Sequence, residues 1–123
     1  MKHLSSSAVQ SLHRQLVEMR ARLLEEIRIA HADIESVHES LEGESRGGSD
    51  ASELSRLEAL RRSEIAIDES KLSAIDEAER RMNEGNYGVC MACGKAIAPD
   101  RLLALPTAVR CTECEQAPMS QRG

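Results

Sequence analysis

Gly43-Glu-Ser-Arg-Gly-Gly-Ser-Asp50 is a stretch with no apolar side chain and three glycines, set between two long segments whose apolar residues recur at helical spacing. Such a run offers nothing to bury, and glycine in a helix interior costs about 1 kcal/mol relative to alanine. It cannot continue a packed helix, so it must turn the chain. The fold follows from what lies on either side of it.

Upstream, Val9, Leu12, Leu16, Met19, Leu23, Ile27, Ala30, Ile34, Val37 and Leu41 follow one another in steps of three or four, which places them on one face of a single helix. The consecutive four-residue steps from Met19 to Leu23 to Ile27 depart from strict heptads and relax a supercoil locally. Ser5, Ser6 or Ser7 can cap the start, and Gly43 stands just past the last seam residue as a stop. Downstream, Asp50 and Glu53 have the spacing of a capping box, which predicts a second helix from Ala51 to about Glu84, ended by Gly85. Its stripe includes Leu54, Leu57, Ile65, Leu72, Ile75 and Met82. Arg61, Asp68 and Glu79 interrupt it where seam residues are expected, so packing there should be looser. A short connection makes the helices antiparallel, and two helices of about 33 residues at about 1.5 Å per residue form a rod on the order of 50 Å long.

The predicted fold class is therefore mainly α: a coiled-coil hairpin over residues 1–85 with its tip at about 43–50, followed by a separate lobe over 86–123. That lobe holds all four cysteines, all three prolines and no helical periodicity before Cys111, after which a short C-terminal helix is expected. A hairpin of this kind has too little interior for a substrate pocket, so its use is reach. A homodimerising coiled coil is the alternative, with a monomer expected.

Composition agrees with a thin core stapled by metal. The 123 residues include one Tyr and no Trp or Phe, so the large aromatic groups that usually dominate a core are missing. Sixteen basic against twenty-one acidic residues give a net charge of -5, which disfavours binding to DNA phosphates. The N-terminus has no apolar run suited to a signal peptide and no stretch approaches a membrane span, so a cytoplasmic location is expected. In a reducing compartment, closely paired cysteines point to metal rather than disulfides.

Cys90-Met-Ala-Cys93 and Cys111-Thr-Glu-Cys114 are CxxC pairs separated by seventeen residues, a spacing suited to a structural zinc site. Two intervening residues let one tight turn present both sulfurs to a tetrahedral ion at about 2.3 Å, and Gly94 permits the positive backbone angle such turns need. Four thiolates leave no coordination position for water or substrate, so one Zn²⁺ with a structural role is expected at Cys90, Cys93, Cys111 and Cys114. Lys95, Arg101 and Arg110 lie nearby in sequence to offset the negative charge of the four thiolates. A redox CxxC would need a βαβ setting that is missing, and nothing selects for iron.

With Asn86-Tyr87-Gly88-Val89-Cys90-Met-Ala-Cys93-Gly94, then Ile97, Arg101-Leu102 and Ala104-Leu-Pro106-Thr107-Ala108 ahead of Cys111-Thr-Glu-Cys114, the chain resembles the DksA/TraR zinc-finger family from about residue 9 to 117. The resemblance implies a transcription regulator that binds bacterial RNA polymerase at its secondary channel, the lobe at the rim and the coiled coil extending inward so that its acidic tip lies near the catalytic centre. The family's tip motif DxxDxA corresponds here to Gly47-Gly48-Ser49-Asp50-Ala51-Ser52, which keeps only the second acid, as Asp50, and has Ser52 in place of the last Ala. Asp50, Ala51 and Ser52 are thus the tip residues the resemblance assigns, and Arg101 is a candidate contact in the lobe. At the positions used for the nucleotide ppGpp stand Ala74, Leu105 and Glu115, none of which binds phosphate by charge, so that partnership does not carry over.

Two other classes compete. A zinc-ribbon nucleic-acid-binding module or protein-interaction adaptor would need a basic face or stacking groups, but acids Asp100, Glu113 and Glu115 accompany Lys95, Arg101 and Arg110, and only Tyr87 could stack. An enzyme is not expected. His3, His13, His31 and His38 lie far in sequence from the cysteines and read as solvated surface residues, and no nucleophile–base pair or phosphate loop is present.

Overall fold

The computed structural model describes residues 4–43 and 48–117. Among the described residues there are four helices: α1 (Ser6–Gly43), α2 (Gly48–Glu84), α3 (Pro99–Ala104) and α4 (Thr112–Gln116). Of the three serines at the start, Ser5 is the cap. Its Oγ accepts the Ala8 N–H at 3.1 Å and its carbonyl accepts the Val9 N–H at 3.0 Å.

The far end of α1 and the start of α2 differ from the sequence reading. Gly43 is the last residue of α1 rather than the one after it, and α2 starts three residues before Ala51. Asp50 is therefore in the first turn of α2, not at its cap. Glycine and serine at a helix end cost little, because the first N–H groups have no intrahelical partner to lose. A carboxylate in that turn still gains from the helix's positive end. Residues 44–47, the middle of the expected tip, lie outside the described residues.

The end of α2 matches expectation. Gly85 takes φ +80°, its N–H bonds the Met82 carbonyl at 3.3 Å, and the Asn86 N–H bonds the Arg81 carbonyl at 2.8 Å. These are the two bonds of a Schellman stop.

The chain forms two compact units. One comprises residues 1–20 and 73–123, the other residues 21–72. In each, a length of α1 packs antiparallel to a length of α2. In the first unit Leu12, Leu16, Ile75 and Ala78 are buried, and His13 and Arg20 reach Glu79. In the second, Ala30, Ile34 and Ile65 form one buried cluster with Ile27 packed against it. All ten predicted seam residues of α1 are buried or half-buried.

The three polar interruptions of the α2 seam each meet a partner on α1. Arg61 Nε donates to Asp33 Oδ2 at 3.1 Å, Glu79 accepts from Arg20 and lies 3.0 Å from His13 Nε2, and Asp68 faces Glu26. Packing lapses at these positions are thus filled by charge. His13 and His38 are exposed, as expected of surface histidines, and each also spans the two helices, His38 Nε2 lying 2.7 Å from Glu58 Oε1. A rim position flanking an apolar seam lets a ring cross to the partner helix while its edge stays wet. His31 is exposed as expected. Among the described residues, no helix is long and apolar enough to cross a membrane.

Candidate metal centre

The first cysteine pair sits in a tight turn that follows α2 almost directly. Gly88 and Gly94 take φ +84° and +78°, and an isolated antiparallel bridge joins Val89 to Ala96. Ile97 N–H donates to the Gly88 carbonyl at 2.7 Å, Cys90 N–H to that of Lys95 at 2.8 Å, and Gly94 N–H to that of Cys90 at 2.9 Å. A Cβ added at Gly94 would meet nothing within 4 Å, so the demand for glycine there is conformational rather than steric.

The second pair straddles a helix start. Cys111 precedes α4 and Cys114 lies within its first turn, with Glu115 N–H bonded to the Cys111 carbonyl at 3.0 Å. The bond from Met91 N–H to the Val109 carbonyl, at 2.8 Å, ties the two halves together.

Around this, the lobe builds a small core from residues that also carried the family likeness. Tyr87, Ile97 and Leu102 are at most 1% exposed, and Pro106 and Ala108 are buried beside them. The Tyr87 hydroxyl donates to the Pro106 carbonyl at 2.8 Å, and burial pushes its pKa up to about 12. A side chain so enclosed is not available to stack on a base, which removes the one aromatic the nucleic-acid reading had. Leu102 is delivered by α3, which the sequence reading missed. Pro99 at its first position is the signal that could have found it.

Two arginines brace the lobe. Arg81, in the last turn of α2, donates to the carbonyls of Asn86, at 3.1 Å, and of Val89, so the helix end is bonded to the turn before Cys90. Arg101 Nε donates to the Arg110 carbonyl at 3.0 Å, one residue ahead of Cys111. Arg101 therefore holds backbone leading into the second pair. The Arg110 guanidinium lies 3.9 Å from the Glu115 carboxylate.

The four sulfurs converge. All lie within 4.8 Å of one another, none is in a disulfide, and Cys93 Sγ is 3.8 Å from Cys111 Sγ. A tetrahedron with metal–sulfur arms of about 2.3 Å has edges of about 3.8 Å, so the spacing fits one zinc ion. Cys90 is buried while Cys93 is exposed, which makes the centre asymmetric. As thiols, burial pushes Cys90 up, but the N–H groups of Cys111, Cys93 and Ala92 outweigh it and bring Cys90 down to about 6. Cys114 goes up to about 12, held protonated by its hydrogen bonds to Cys111 and Cys90 and by burial. A divalent cation replaces these shared protons and supplies the charge four neighbouring thiolates require. The closed donor set leaves no position for substrate, so the metal's work is to hold the lobe together.

Paired helices joined to a four-cysteine lobe define a mainly α protein built around one structural Zn²⁺. Residues 85–117, the lobe, match the family model of the prokaryotic dksA/traR C4-type zinc finger. Along its length the chain is 26% identical over 116 residues to an uncharacterized protein of Aquifex aeolicus (strain VF5), covering 92% of this chain and 77% of that one. Its fold matches the structure of transcription factor DksA2 from Pseudomonas aeruginosa with a TM-score of 0.79 at 22% identity, over 91% of this chain and 83% of the other.

Proposed function

We propose that the protein is a transcription regulator that binds bacterial RNA polymerase through the secondary channel and modulates initiation, residues 1–85 serving as the arm and 86–123 as the lobe. The observation that carries this reading is the pairing of a dksA/traR C4-type finger with a fold that follows a transcription factor over nine-tenths of the chain. Two further features support it. The chain's acidic balance suits a target other than nucleic acid phosphate, and Asp50 is exposed at the start of α2, with Ala51 and Ser52 beside it.

In this reading Asp50 acts on groups near the polymerase's catalytic centre, where a carboxylate can contact metal, water or a mobile segment. Arg101 is the candidate lobe contact, the protein acts as a cytoplasmic monomer, and ppGpp is not required because Ala74, Leu105 and Glu115 offer it no cation. A pull-down with RNA polymerase followed by competition with a known secondary-channel factor tests the site of binding. Asp50→Asn should bind polymerase as the parent does and lose the effect on initiation. Binding that the competitor leaves intact would discard the channel reading, and unchanged regulation by Asp50→Asn would discard the tip's role.

A further inference from the structure

In the second unit a groove of about 350 Å³ runs between α1 and α2. Its floor is Ala30, a small residue in a seam otherwise made of Leu, Ile, Val and Met. Its walls include Ile29 and Ile67, one from each helix, which are 47% and 56% exposed although both are large and apolar. Leu60, seven residues before Ile67 on α2, lies outside the groove's lining on the same side of the helix and is 52% exposed. Two exposed isoleucines lining one groove are unlike scattered surface apolar residues, and gathered patches of this kind mark interaction sites.

The polar lining is one-sided. Glu26, Asp33, Glu64 and Asp68 face a single guanidinium, Arg61, and that guanidinium is already engaged by Asp33 at 3.1 Å and Glu64 at 3.0 Å. At the other end Asp68 pushes the Glu26 carboxyl up, and Arg22 and Lys71 offset this only weakly. The groove is thus apolar at its centre and negative along its edges.

We propose that this groove is a docking site for a cationic amphipathic helix of a protein partner, its apolar residues seated between Ile29 and Ile67 and its lysines or arginines over the carboxylates. Charge complementarity selects this occupant. A nucleic acid would bring negative charge to a negative rim, and a second copy of this chain, with its own excess of acid, would set carboxylate against carboxylate. The inference goes beyond the polymerase reading and holds for whichever protein carries the helix.

The test uses the full zinc-loaded chain, isotope-labelled for amide NMR, titrated with a synthetic helical peptide of leucine and lysine and with a leucine and glutamate peptide of the same pattern. The lysine peptide should shift amides in 26–33 and 60–68, bind at least about tenfold more tightly than its acidic counterpart, and weaken as salt is raised. Ile67→Ser should lower its affinity at least about tenfold, while Val17→Ser, at an exposed apolar residue of the first unit, should leave it unchanged. Both substituted side chains are exposed, and unchanged helix content verifies that the variants fold. Equal binding of the two peptides, shifts confined to other segments, no binding, or equal losses in the two variants would each overturn the proposal. So would a dimer of the unliganded chain that Ile67→Ser splits, since the groove would then belong to a second copy.

Discussion

The two units answer the same problem in opposite ways. Each has an acid in the α2 seam where an apolar residue is expected. In the first unit Glu79 meets cations, accepting from Arg20 and pairing with His13, and its carboxyl is held below the usual range chiefly by the Arg20 hydrogen bond. In the second unit Asp68 meets another acid, and the Glu26 carboxyl opposite is pushed up. A seam acid thus stabilises one helix pair and burdens the other. The lesson is that a polar seam position has no fixed sign, because the residue across the interface decides it. The unit whose seam acid meets cations also carries the metal lobe, and the unit whose seam acid meets another acid carries the apolar groove.

Removing zinc should separate the units most strongly. Structural zinc contributes on the order of 10–16 kcal/mol to small metal-held folds. A strong chelator should therefore abolish hydrogen-exchange protection across 85–117 while amides of Ala30, Ile34 and Ile65 stay protected; their simultaneous loss would show that the two units do not fold separately. Next in size, Ile75→Ala removes a side chain that is fully buried and should cost about 2–5 kcal/mol in urea unfolding. Glu79→Gln comes next, at about 1 kcal/mol, since Arg20 retains only Asp76, a largely exposed partner at 2.6 Å. A variant as stable as the parent would remove the contrast between the seam acids. Gly85→Ala should cost a similar amount, about 1 kcal/mol, read as a lowered melting temperature. The added Cβ meets nothing within 4 Å, and the cost is that of φ +80° for an L residue.

How far the sequence discloses these differences depends on the range of the interaction. The α1 seam, the Gly85 stop and the cysteine quartet were legible because each is a local pattern: a period, a single residue after a helix, a pair of two-residue spacings. The α3 helix was not, since six residues are too short to show a period. The start of α2 moved to Gly48 because helix ends are set by weak preferences that small residues satisfy either way. Cross-helix pairs such as His38 with Glu58, or Arg61 with Asp33, depend on the register between helices. The sequence names which residues lie near the seam but not which faces which. Arg101 was read as charge and Arg81 was not singled out, when both bond carbonyls of the lobe, something only the path of the backbone discloses. The four ligand cysteines needed no such information; the groove needed all of it.

The smallest expected effect is also the one that tests the comparison most directly, because Glu79 and Glu26 should give pH dependences of opposite sign. Glu79 has its pKa lowered from the ordinary 4.5, so the stability it contributes is fully present above 4.5 and is lost as pH falls through its lower folded value. Glu26 has its pKa raised from the same 4.5. Its contribution is fully present below 4.5 and is lost as pH rises through the higher folded value, where Glu26 and Asp68 would both be charged. Urea unfolding followed across this range, with amide exchange resolving the two units, should therefore find the first unit weakening on the acid side and the second easing there. Glu79→Gln should remove the acid-side loss and leave the second unit unchanged. Asp68→Asn replaces one of the facing charges with a group that can donate to Glu26, and should flatten the loss of stability above 4.5 by a small margin. If Asp68→Asn instead weakened the second unit at every pH, Asp68 would be a net contributor to its seam and the two units would be alike after all.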